Sequence, residues 1–276
     1  MEIMLNGERI AAQACEVEVQ RVMREAPQMD KQQAEARARE SLIARGLLRQ
    51  NAFNSGIGVT SEDVDAEYER LVAGYGGESQ FYVQMGLTKK QHEKRLKRDL
   101  QERIRIDRFV ADLTRDLAKP TEQAVEDYCR EHMVGATRPP RVRASHIVRR
   151  PEAEAYREML KARTRLLDGA DFAEVAREFS GCDDRGGDLG WFTPGRMVAE
   201  FDAVAFSMKA GEVSPVFLTA FGYHVVKVWE TEAERPMTQE EALAEARGRL
   251  EVQAREAALA AWIAGKRERA VVEVRP

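Results

Sequence analysis

Four histidines and three cysteines are the side chains of this chain that could transfer protons, attack a carbonyl or hold a metal near neutral pH. His92 and His132 fall on predicted helices with no partner at ligand spacing. Cys15, Cys129 and Cys182 are too widely separated for a CxxC site or a disulfide framework, so no metal centre is expected. Cys182 beside His146 or His224 would be the nucleophile and base of a Cys-His hydrolase, but no oxyanion-hole motif or third orienting residue accompanies them. Gly186, Gly187 and Gly190 could suggest a phosphate cradle; they lack the strand-GxxxxGK-helix context and read as a loop. Arg149 and Arg150 read as a solvated edge, not a phosphate site. His146 and His224 remain, each inside a run of alternating apolar residues, where an imidazole is either a tuned polar group or a core histidine that holds two strands in register.

The elements that must position these residues belong to a chain of 276 residues, long enough for two domains. Its 43 basic and 47 acidic residues leave a net charge of −4, which argues against nucleic acid as a partner. No apolar run approaches the roughly 20 residues of a bilayer span, so no membrane association is expected. Residues Met1 to Arg9 show no basic or apolar leader region, which predicts a cytoplasmic protein, or an exported or periplasmic one if a leader has been removed.

Glu2 to Leu5 followed by Asn6-Gly7 predicts a strand and a turn, after which a helix starts. Asp30 caps a proline-free helix over 31–54, Thr60 and Asp63 open one over 61–72, and a short helix follows over 79–84. Thr88 and Gln91 begin a charged helix to about Leu117; Glu93, Asp99 and Glu102 interleave its cations, as on a solvated face. Thr121 caps a further helix through Cys129. The tandem prolines of Thr137-Arg138-Pro139-Pro140 mark a boundary. Beyond it come a strand over 142–148, helices over 153–168 and 172–179, the glycine loop, a helix over 200–206, and strands near 213–217 and 224–229. A helix over 238–268 and a strand over 271–274 close the chain. A lone strand cannot satisfy its backbone groups, so the two terminal strands should pair. The fold class is α+β: an all-α domain over 1–138, completed by the helix and strand of 232–276, with a mixed domain over 139–231 inserted.

Within the insertion, Val142-Arg143-Ala144-Ser145-His146-Ile147-Val148, Phe179-Ser180-Gly181-Cys182, Gly186-Gly187-Asp188-Leu189-Gly190-Trp191-Phe192, Met197 to Phe201, and Phe221-Gly222-Tyr223-His224-Val225-Val226 follow one another in order. This run resembles the parvulin (PpiC) family of peptidyl-prolyl cis-trans isomerases over about Arg141 to Glu230. An Asn-Gly-Glu opening, long charged helices and a P-T-x-x-x-V-x-x-Y helix make the remainder similar to the foldase-chaperones typified by SurA and PrsA, and to NifM, which lacks an export signal. The resemblance implies a four-stranded, mainly antiparallel sheet. It also implies a rotamase acting without covalent catalysis on X-Pro bonds of unfolded or extended polypeptides; a holdase with a weakly active parvulin domain is the alternative. Such chemistry needs no cofactor.

By motif position the resemblance makes Leu189, Met197 and Phe201 a proline cup, with Phe192 and Phe221 beside it. Taken singly, each apolar residue is ordinary core. The resemblance further implies that His146 and His224 hydrogen-bond beneath the site, that Cys182 faces the substrate amide, and that Thr219 donates a hydrogen bond nearby. Unfolded or proline-containing polypeptides are the implied partners, and a homodimer is a further possibility.

Overall fold

The computed structural model describes residues 2–73, 75, 78, 81–82, 85–181 and 185–275. The chain runs β1 (Glu2–Leu5), β2 (Glu8–Ile10), α1 (Ala12–Glu25), α2 (Lys31–Asn54), α3 (Ser61–Ala73), α4 (Lys89–Leu113) and α5 (Glu122–His132). It continues through β3 (Thr137–Arg138), β4 (Arg141–Arg149), α6 (Ala155–Leu167), α7 (Phe172–Phe179), a short 3-10 turn (Arg185–Gly187), β5 (Asp188–Phe192) and α8 (Ala199–Ala205). Last come β6 (Phe217–Thr219), β7 (Gly222–Glu232), β8 (Arg235–Pro236), α9 (Gln239–Arg269) and β9 (Val272–Arg275). The short helix expected over 79–84 falls largely outside the described residues. No described helix is long and apolar enough to cross a membrane.

Two compact units share this chain. The first gathers Met1–Tyr68, Glu93–Val125 and Arg247–Pro276; the second gathers Glu69–His92 and Glu126–Ala246. In the first unit β1 is the centre of an antiparallel sheet in the order β2-β1-β9. The two terminal strands therefore pair as their unsatisfied backbones require, with Ile3 opposite Val274. Asn6 and Gly7 both take positive φ, which makes the tight turn into β2. Ile3 and Leu5 alternate inward against Cys15 of α1 and Ile43 and Leu47 of α2. Gly46 lets α2 approach β1 closely, since a Cβ there would lie 2.6 Å from Leu5 Cδ2. The Asp30 cap read from the sequence is formed, with Gln33 completing a capping box, and so is the pair of Thr60 with Asp63.

The second unit is built on a four-stranded, wholly antiparallel sheet in the order β5-β4-β7-β6. One face is dry packing: Ile147 and Val225 meet Met159 and Leu166 of α6 and Phe172, Val175 and Phe179 of α7. On the other, Ala144, Val226 and Val228 meet Phe192, Phe201 and Ala205. Because side chains alternate along a strand, the second face receives both His146 and His224. A two-residue ribbon of β3 with β8 lies in the same unit.

Candidate active site

β4 and β7 are the two central strands, with His146 opposite Val226 and Val148 opposite His224. Residues two apart share a face, so this register sets the histidines on a diagonal of one face. Their rings lie 5.6 Å apart between centroids and 26° from parallel. They stack and do not share the hydrogen bond that the resemblance implies: neither Nδ1 has a partner among the described residues. His224 instead engages β6, its Nε2 lying 2.8 Å from Thr219 Oγ1. Thr219 Oγ1 also accepts the Phe221 backbone N–H at 3.1 Å, and this ties the β6–β7 turn to the imidazole.

Phe201 closes the site from α8. It is only 3% exposed and stands edge-on to both imidazoles, at 5.8 Å from His146 and 5.6 Å from His224. Phe192 lies 6.1 Å from Phe201, and Leu189 and Met197, both half-buried, pack against the same cluster. The structure thus brings Leu189, Phe192, Met197, Phe201, His146, His224 and Thr219 together. Phe221 sits at the turn with its side chain 62% exposed, a rim position and not part of the packed cluster. Cys182 lies outside the described residues. The segment leading to it is anchored where Gly181 N–H donates to Val148 O at 2.7 Å.

Burial pushes the His146 imidazole down to about 4, and burial together with repulsion from His146 does the same to His224. Both rings are neutral at pH 7, so the site has an uncharged polar floor under an aromatic wall. Two residues beyond those read from the sequence contribute. Phe217 lies opposite His224 in the β6–β7 register and stacks on its ring at 5.4 Å and 22°. It stands two residues before Thr219 on the same strand face, a spacing that could have marked it. Asp202 Oδ2 accepts the Gly195 N–H at 2.6 Å and closes the loop that carries Met197. The glycine block has a steric purpose. Gly187 has φ +78° and passes so close to β4 that a Cβ would lie 2.2 Å from His146 O. Among the described residues, no three His, Cys, Asp or Glu side chains gather as metal ligands.

Residues 132–230, which hold every one of these side chains, match the family described as "Rotamase: PPIC-type PPIASE domain". The chain carries a parvulin domain of the PpiC type. A foldase protein PrsA from Geobacillus sp. (strain WCH70) is 32% identical over 200 residues, covering 71% of this chain and 66% of that protein, so the likeness extends beyond the parvulin domain. A chaperone SurA from Cupriavidus metallidurans is 39% identical over 127 residues, covering 45% of this chain and 26% of the relative. Among solved structures, PrsA from Bacillus subtilis aligns at 24% identity with a TM-score of 0.41, covering 87% of this chain and 86% of its own. The chain spans just under two thirds of the PrsA relative and about a quarter of the SurA relative.

Proposed function

We propose that the chain is a foldase: its parvulin domain, over 139–231, speeds cis-trans isomerisation of X-Pro bonds in unfolded or extended polypeptides, and its helical body, over 1–138 and 232–276, holds such clients. The observation that carries this reading is the pair of neutral imidazoles, His224 buried and His146 partly buried, edge-on to Phe201, with Met197 and Leu189 at the same wall.

The physical problem is a barrier of about 18 to 20 kcal/mol, raised by the partial double bond of the planar imide. Planarity places opposite partial charges on oxygen and nitrogen, and water stabilises that separation. A dry, uncharged pocket disfavours the planar form relative to the twisted one, in which conjugation is lost and the nitrogen lone pair localises. Phe201, Met197 and Leu189 would grip the proline ring, the thioether adjusting to ring pucker. Thr219 supplies the polar partner. In the Nε2–H tautomer of His224, Thr219 Oγ1 accepts from both His224 and the Phe221 N–H, which leaves its own O–H to donate toward the substrate. No bond is made or broken, so no general base is needed, in keeping with imidazoles whose basicity burial has weakened.

A proline-limited refolding reaction tests the proposal. Wild type should accelerate the slow phase, and Met197→Ala, a half-buried position whose truncation spares the core, should lose most of that acceleration. Equal acceleration by both would remove the proline cup from the mechanism. No acceleration by either would leave a holdase.

A further inference from the structure

The helical unit holds a groove of about 920 Å3 that isomerisation does not use. Asn51, Asn54 and Lys266 also line an adjoining hollow of about 440 Å3, so the two form one trough. Its apolar surface is aromatic: Phe53 is 71% exposed, and Phe109 and Trp262 meet edge to face at 5.4 Å. Its charge is one-sided. Arg49, Arg98, Arg105, Lys266 and Arg269 line the larger part against two carboxylates, in a chain whose net charge is −4. Those carboxylates, Glu8 and Glu102, both face Arg49. Asp112, in the adjoining hollow, is bonded to Arg115. Arg105 lies 5.3 Å over the Phe53 ring and Lys266 lies 5.4 Å over Trp262, so cation and aromatic face are presented side by side.

We propose that this trough docks extended polypeptide segments in which acidic and aromatic or aliphatic side chains alternate, so that the chain selects acidic stretches of its clients. The proposal rests on the chaperone reading above and names its partner class. Arginines and a lysine spread along the wall attract a line of carboxylates, while the aromatic faces take the intervening apolar groups. Each exposed pair contributes little alone, and several in a row give a salt-sensitive preference.

The test uses the full chain and short, labelled, proline-free peptides of equal apolar content carrying glutamate, glutamine or lysine. Binding followed by fluorescence anisotropy should be about tenfold tighter for the glutamate peptide than for the lysine peptide, and should weaken as salt is added. Arg98→Glu with Arg269→Glu should reverse the preference. Arg98→Gln with Arg269→Gln should fall between and guards against misfolding of the reversed variant. Turnover of a short proline peptide should be unchanged in both variants. Equal affinities, an unchanged preference in the reversed variant, or tighter binding of a single-stranded oligonucleotide would overturn the proposal. Suppression of aggregation without any charge preference would sink this inference alone. Failure to bind any peptide or to suppress any aggregation would sink the chaperone reading with it.

Discussion

The two units bury titratable groups in opposite ways. In the helical unit Glu18 is almost wholly buried yet charged: hydrogen bonds from Arg21 above all, then from Ser41 and Arg45, hold its carboxyl down to about 2 against the opposing effect of burial. In the parvulin domain His224 is buried and His146 partly buried, with no cation or anion within bonding reach among the described residues, and they shed their charge. The first arrangement keeps an ion and ties α1 to α2 through it. The second discards the ion and leaves the site uncharged. A buried charge survives where a partner compensates its lost hydration, and a site that must exclude charge offers no such partner.

The comparison can be broken most forcefully at Phe201. Phe201→Ala should remove about 3 to 4 kcal/mol, because a ring that contacts both imidazoles, Phe192 and Phe217 leaves a cavity. In variants that retain a single tryptophan, the urea transition reported by Trp229 should shift and that reported by Trp262 should not. Equal shifts would show that the units do not unfold separately. Glu18→Gln should act the other way round. It should cost about 2 kcal/mol in the Trp262 transition, since Arg21 and Arg45 remain in contact with water, and should leave proline-peptide turnover intact.

A pH titration sharpens the contrast. The histidines have folded values near 4 against 6.5 in the unfolded chain, so below 6.5 the unfolded state binds more protons. Parvulin-domain stability should therefore be complete above about pH 6.5 and fall, by several kcal/mol, as pH drops toward 4. The contribution of Glu18 should persist until pH falls below its usual 4.5 and disappear toward 2. The smallest stability effect is expected at Thr219. Thr219→Val should cost about 1 kcal/mol and lower turnover about tenfold, while Thr219→Ser keeps the Oγ and the turnover.

Much of this was legible in advance, for reasons that differ by element. Helices with a capping side chain announce themselves: α2 begins at Asp30 and α7 at Asp171, each bonded to the backbone N–H three residues on. By contrast, α1 begins at Ala11, which caps nothing with its side chain, and its bounds were not read. β2, β3 and β8 are two or three residues long, too short to display a period. The strand expected near 213–217 is displaced to Phe217–Thr219, because Pro215 has no N–H for the ladder; Val213 makes only a single bridge, to Lys227. At the site, Leu189, Phe192, Met197, His146, His224 and Thr219 are brought together around Phe201, whereas Phe221 stands at the rim and Cys182 lies outside the described residues. That the imidazoles stack and do not bond each other follows from the diagonal register, which depends on pairing between distant segments and has no local signature.

The pairing of β1 with β9 also has a consequence in time. Leu5 leaves the ribosome long before Val272, its neighbour in the finished sheet. At about 5 to 20 residues per second, the edge of the first strand waits for something like a quarter of a minute or more without its partner, while the intervening parvulin domain has all its strands in hand and can fold. Closure of the β2-β1-β9 sheet must therefore wait until Val272 has been made, whatever the speed of local helix formation.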